Sequence, residues 1–266
     1  MLAELSPRFF SAPLVCAALL VGAPLRAQSA PAEGEPTIGV NGFFVEEAYN
    51  QEAGVLQQFA HYTAGRDGHW LLRLEQEWPI FSERHQLDLE LGIDDVRLQS
   101  FGLGYRFMLL GGEDEPLTIT PGVEATLSRD AKPEYEAALP VSFAFAEGWT
   151  SNSSVGVSFT PGEDEVGFTA GEGVMRRVGS SLNLLVEALY STDESPIPGD
   201  ETEGSVFVIP GFQYAFDLSP RVQLVPGVAM PIGVGKANGE RGVLLYLSIE
   251  HPLPRLVGTR APRMPR

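Results

Sequence analysis

From about residue 55 to residue 250, large apolar side chains fall on every second position, interrupted by turns. Trp70, Leu72, Leu74 and Trp78 alternate with Leu71, Arg73, Glu75 and Glu77. Leu87, Leu89, Leu91 and Ile93 alternate with Gln86, Asp88 and Glu90. Phe101, Leu103, Tyr105, Phe107 and Leu109 alternate with Gly102, Gly104 and Arg106. Similar runs occupy Leu117–Ser128, Tyr135–Phe145, Val155–Phe159, Val166–Ala170, Leu182–Tyr190, Val206–Tyr214, Val222–Met230 and Val243–Glu250. A period of two puts successive side chains on opposite faces of a sheet, so each run predicts a β-strand. With a further strand at Val55–Tyr62, the total is about twelve, within a range of ten to fourteen.

The two faces differ in kind. One is bulky and apolar; the other is rich in glycine, small residues, threonine and glutamate. A small soluble barrel needs large apolar residues pointing inward to fill it. A membrane barrel reverses this, with apolar residues toward lipid and polar ones toward water. The chain is therefore expected to form an all-β, transmembrane, antiparallel up-and-down barrel in a bacterial outer membrane. Its rivals are a non-conducting structural or interaction barrel and a soluble periplasmic β-protein binding an apolar ligand. Closure removes the unpaired strand edges that hydrocarbon does not tolerate, and pairing Val55–Tyr62 with Val243–Ile249 would achieve it. Trp70 and Trp78, eight positions apart on one face, would lie roughly 20 Å apart along the membrane normal, near the spacing of two aromatic girdles. Tyr105, Tyr190 and Tyr214 join them as expected girdle residues.

The ends read differently. Arg8, the apolar stretch Phe9–Leu25 and the small residues Ala27, Ser29 and Ala30 follow the order of a secretory signal peptide, expected to span residues 1–29. Cys16, the one cysteine, lies inside it, so the mature chain has neither disulfide nor thiolate ligand. Residues 30–54 form an N-terminal periplasmic segment or a plug; Phe43, Phe44, Val45 and Tyr49 make it apolar for a free tail. The barrel is expected over residues 55–251 and a basic, proline-rich tail over 252–266. Lysine plus arginine number 18 against 35 acidic residues, giving a net charge of −17. That balance repels phosphate backbones, which excludes nucleic acid as a partner. The expected partners are outer-membrane lipid and a small-molecule solute.

The segment Glu46–Gly54 (EEAYNQEAG) is followed by Gln76-Glu77-Trp78-Pro79, His85-Gln86-Leu87 and Gly102-Leu103-Gly104-Tyr105-Arg106. On these residues the chain, from Phe44 to Leu253, resembles the outer-membrane barrels grouped as MetA-pathway phenol-degradation-like transporters. The resemblance implies an outer-membrane barrel that passes small molecules, aromatic ones among them, and it brings no catalytic residues. The sequence departs from many such barrels by continuing past Glu250 instead of ending on an aromatic.

Candidate chemistry lies on the polar face. Arg73, Glu75, Glu77, Asp88, Glu90, Arg106, Glu124, Glu136, Glu187 and Glu250 are expected to line the lumen. Two arginines against eight carboxylates would favour cations or neutral solutes over anions, unless the arginines pair with facing glutamates and rigidify the interior. The four histidines lack metal-site spacing, so neither metal nor cofactor is expected. Ser82, His85 and Asp88 have the residue types of a hydrolytic set, but Ser82 and His85 sit at a turn, where a histidine is usually structural or solvated, and no enzymatic role is expected.

Overall fold

The computed structural model describes residues 39–253, apart from residues 95, 113–114, 130, 193–194, 201 and 220–221. The expected signal peptide and nearly all of the tail lie outside the described residues. Fifteen strand segments follow one another: β1 (Val55–Gly65), β2 (Trp70–Pro79), β3 (His85–Asp94), β4 (Arg97–Phe107) and β5 (Leu117–Ile119). Next come β6 (Gly122–Ser128), β7 (Glu134–Ala146), β8 (Trp149–Phe159), β9 (Val166–Val178) and β10 (Leu182–Ser191). The last are β11 (Ser205–Tyr214), β12 (Phe216–Ser219), β13 (Val222–Ala229), β14 (Ile232–Val234) and β15 (Gly242–Pro252). Segments β5/β6, β11/β12 and β13/β14 are each one interrupted stave, so the wall has twelve staves, all antiparallel to their neighbours.

The wall is closed. β1 pairs β2 on one side and β15 on the other, in unbroken register from Val55↔Pro252 to Gly65↔Gly242. β15 in turn pairs β13, and β13 pairs β11. Every stave thus has two hydrogen-bonded neighbours, which leaves no edge to be satisfied inside a bilayer. The connections at the end where β1 begins are mostly tight. Between β7 and β8 only Glu147 and Gly148 intervene, and Gly148 takes the left-handed conformation (φ 68°) that a two-residue hairpin requires. The longest connection, between β10 and β11, lies at the opposite end and tucks Ile197 back inside the barrel.

The bulky face points out. Leu184, Val186 and Leu245 are 46, 53 and 52% exposed, and Leu139, Val155, Val157 and Phe212 stand out likewise. In water such a surface would be an aggregation hazard far larger than ordinary apolar patches. This excludes the soluble β-protein and gives the architecture of a transmembrane barrel.

The interior departs from the expectation of a wholly polar lumen. Along β10, β11, β13, β15 and β1 the inward positions include Leu185, Phe207, Ile209, Val225, Leu244, Tyr246 and Phe59, all buried in one apolar cluster. Along β2 to β8 most inward positions are charged, hydroxylic, amide or small, Glu75, Gln86, Gly104, Ser142 and Ala138 among them. The barrel is dry on one side and polar on the other.

Candidate functional site

Residues 39–54 lie inside the barrel and divide its two sides. The segment enters at the end where β1 begins: Asn183, the second residue of β10, donates from Nδ2 to the Gly39 carbonyl at 2.9 Å. Gln213 Nε2 donates to the Asn41 carbonyl at 3.0 Å. Midway along the lumen the N–H groups of Phe43 and Phe44 donate to the two oxygens of Glu187, at 2.7 and 3.0 Å. The Gly42 N–H donates to Glu47 Oε2 at 3.1 Å and closes the turn. The chain then runs back. Ala48 N–H donates to Ser142 Oγ at 2.8 Å, the Thr120 hydroxyl donates to the Ala48 carbonyl, and Gln51 N–H donates to Gln86 Oε1 at 2.7 Å. A backbone loop inside a barrel must have its polar groups satisfied, and inward-facing amides, hydroxyls and Glu187 do this here.

Apolar contacts seat the same loop. Phe43 lies in the apolar cluster, edge-on to Tyr246 with ring centroids 5.7 Å apart. Val45 is 1% exposed and lies against Gly171 and Gly173. Glu46 and Glu47, beyond the turn, face the polar side.

On that side is a cavity of about 190 Å³. Eight of the ten residues expected to line the lumen border it: Arg73, Glu75, Glu77, Asp88, Glu90, Arg106, Glu124 and Glu136. Ligand oxygens of Glu75, Glu77 and Asp88 lie within 4.8 Å of one another. A cation already occupies their neighbourhood, since Arg106 Nη1 is 3.6 Å from Glu77 Oε1. Arg106 also donates from Nη2 to the Glu47 carbonyl, binding the loop to the wall. Gln86 Nε2 donates to Asp88 Oδ1 at 2.8 Å, and Arg73 Nε is 3.8 Å from Glu90 Oε1. Burial raises the Glu47 carboxyl above the ordinary carboxylate range, with Arg106 pulling the other way.

The other two expected lumen residues lie elsewhere. Glu187 is 2% exposed on the apolar side, where it clamps the loop backbone and does not face the cavity. Glu250 sits near the entrance, paired in register with Gln57 and Gln223. Missing from the sequence-based set are Glu46, Glu47, Phe44, Phe59 and His61, which also border the cavity. Also missing are the buried amides Gln57, Gln86, Asn183 and Gln213. The alternation puts these four amides on the inward face, but they carry no charge to mark them as lumen candidates.

Ser82, His85 and Asp88 are not brought together. The His85 ring is bound to Tyr105, Nδ1 lying 2.6 Å from its hydroxyl, whereas Asp88, three positions along, faces the lumen. The residues expected in girdles divide between the two ends of the wall. Trp70 (stacked on Tyr62 at 5.8 Å) and Tyr190 lie at one end; Trp78, Tyr105 and Tyr214 lie toward the other.

An apolar outer wall, a partly polar lumen and an inserted N-terminal loop define the class: a transmembrane β-barrel of the channel architecture. No known family profile matches the chain, and neither does any curated protein. Solved structures share its fold. It is similar to the NanC porin, with a TM-score of 0.55 and 10% identity over 74% of this chain and 100% of that one. It is similar to an outer-membrane channel from Pseudomonas putida F1, with a TM-score of 0.53 and 12% identity over 77% of this chain and 97% of that one. It is also similar to the KdgM porin solved in complex with disordered oligogalacturonate, with a TM-score of 0.51 and 10% identity over 75% and 99% of the two chains.

Proposed function

We propose that this chain is exported to the bacterial outer membrane and passes small neutral or cationic solutes through the acidic side of its lumen, with residues 39–54 acting as a plug that sets the bore. The observation that carries this reading is the cavity of about 190 Å³, bordered by eight carboxylates and two arginines. Confined charge of one sign attracts counter-charge and excludes its like. Oligogalacturonate, the molecule in the KdgM complex, is a polyacid, and an acidic lining of this kind would repel it. Phe44 and Phe59 border the same space and give a flat solute an apolar surface to lie on. That supports the kinship with MetA-pathway phenol-degradation-like barrels suggested by Glu46–Gly54, and aromatic solutes within the range. The aromatic residues at the two ends of the wall would act as girdles at the two membrane interfaces. No catalytic role is proposed.

A second reading, a non-conducting barrel, draws on the apolar cluster that fills the other side of the lumen. Planar-bilayer recording separates the two. The channel reading expects discrete conductance steps, a reversal potential shifted toward the cation in a KCl gradient, and larger steps after deletion of Ala32–Gly54. Steps unchanged by the deletion would remove the bore-setting role. Silence from both proteins would leave the non-conducting barrel.

A further inference from the structure

The outer wall carries a feature that solute passage does not use. Across β15, β1, β2, β3 and β4 the surface is indented by a groove of about 260 Å³. Its cause is local. Ala60 lies in register between Leu247 and Leu74, so a methyl group floors the wall between two leucines. Beside it Leu74, Leu91 and Leu247 are only partly exposed, whereas Leu184, Val186 and Leu245 on other parts of the wall stand free.

One end of the groove is polar. Gln58 and Gln76 face each other across β1 and β2, on the same outward face as Ala60 and Leu74. Gln58 Nε2 is 3.2 Å from His251 Nε2. The Gln76 carboxamide has no hydrogen-bond partner among the described residues. Hydrocarbon offers an amide no partner, so a carboxamide on a lipid-facing wall needs one from the protein or from a bound molecule. A molecule that suits this groove has an apolar chain and a hydrogen-bonding group at one end. The amides sit toward the rim where β1 starts and β15 ends, and the apolar part runs toward the middle of the wall, which is how a lipid lies in one leaflet.

We propose that this groove is a phospholipid site: an acyl chain lies over Ala60 between Leu74, Leu91 and Leu247, and the ester or headgroup oxygens accept hydrogen bonds from the carboxamides of Gln58 and Gln76. The site rests on the membrane placement of the barrel and not on solute passage. Occupation there ties β15, β1 and β2 together on the outside, at the seam where the first and last staves meet.

The test is native mass spectrometry of the detergent-purified full-length protein with added palmitoyl-oleoyl phosphatidylethanolamine. One lipid should stay on the native barrel under activation that strips it from Ala60→Phe, which fills the groove. Gln76→Leu should retain lipid about fivefold less, the loss expected for one hydrogen bond. Val186→Phe, on the far wall, should retain it normally. Heat-modifiable gel mobility reports folding of each variant separately, and a protein with no such shift would be a failure of the membrane placement and not of the groove. Equal lipid retention by native protein, Ala60→Phe and Gln76→Leu would overturn the site. So would a native protein that carries a second copy of itself, and no lipid, until Ala60→Phe releases it.

Discussion

Placing an arginine at Val186 tests the orientation of the whole wall. Val186 is the fifth residue of the ten in β10, is 53% exposed, and stands beside Val174 and Pro210 on the neighbouring staves. At about 3.3 Å rise per residue and a tilt near 40°, a strand of that length spans roughly 25 Å of the membrane normal, so Val186 lies close to the midplane. An arginine there is expected to cost about 2–4 kcal/mol, and one near the interface about 0–1. Val166, the first residue of β9 and 65% exposed, supplies the interfacial comparison. Reversible guanidinium unfolding in phospholipid vesicles, followed by tryptophan fluorescence, should show Val186→Arg less stable by about 3 kcal/mol and Val166→Arg nearly native. If the two variants cost the same, or if Val186→Arg is neutral, the outer face is wet and the transmembrane assignment fails.

The lumen makes its own predictions. Phe207→Ala opens a cavity in the apolar cluster, where Phe207 is 1% exposed, and should cost about 3–5 kcal/mol in the same unfolding assay. Arg106→Met leaves Glu77 and Asp88 without their cation, which should cost about 3–5 kcal/mol and move the bilayer reversal potential further toward the cation. Glu187→Leu removes both acceptors of the Phe43 and Phe44 N–H groups, each bond to a charged group contributing about 1.5–3 kcal/mol; the inserted loop should loosen, read as larger or more frequent conductance steps, with Glu187→Gln intermediate. Because burial raises the Glu47 carboxyl, the inserted loop holds that proton more tightly than a free loop would. Its hold is therefore greatest in acid and weakens as pH climbs past the ordinary carboxylate range, so open probability should rise with pH, and Glu47→Gln should flatten the curve.

The alternation made the wall legible from sequence. Strand positions follow from period two; the outward direction of the bulky face was expected from the contrast between the two faces, and the β1–β15 closure from the intolerance of hydrocarbon for a free strand edge. The divided interior was less legible, yet it left a trace. In Leu182–Ser191 the sequence LNLLVEALYS is apolar on both faces: Leu184, Val186 and Ala188 point out while Leu185 and Leu189 point in. Phe207 and Ile209 do the same in β11. A strand apolar on both faces is buried on both, and in a membrane barrel the inner burial needs an occupant. Phe43, with Val40 and Phe44 packed beside it, is that occupant. Nothing local to Glu187 distinguished it from the cavity carboxylates, since its role depends on the distant backbone of Phe43 and Phe44.

The occupant also explains Gly171 and Gly173 of β9, which lie beyond the alternating run Val166–Ala170. A Cβ added at Gly171 would have Val45 as its nearest neighbour throughout, with Cγ2 at 2.7 Å, Cγ1 at 3.3 Å and Cβ at 3.4 Å, and no wall residue among the three. Val45 is 1% exposed and cannot slide aside without disturbing the Glu187 clamp next to it. Gly171→Ala should therefore overpack the full-length protein by about 1–3 kcal/mol and drive the loop off the wall. In a barrel lacking Ala32–Gly54 the same substitution meets open space and should be neutral. The difference between the two backgrounds isolates the contact between loop and wall. An equal cost in both would mean that Gly171 is there for the strand itself, and that the loop is not seated where the structure puts it.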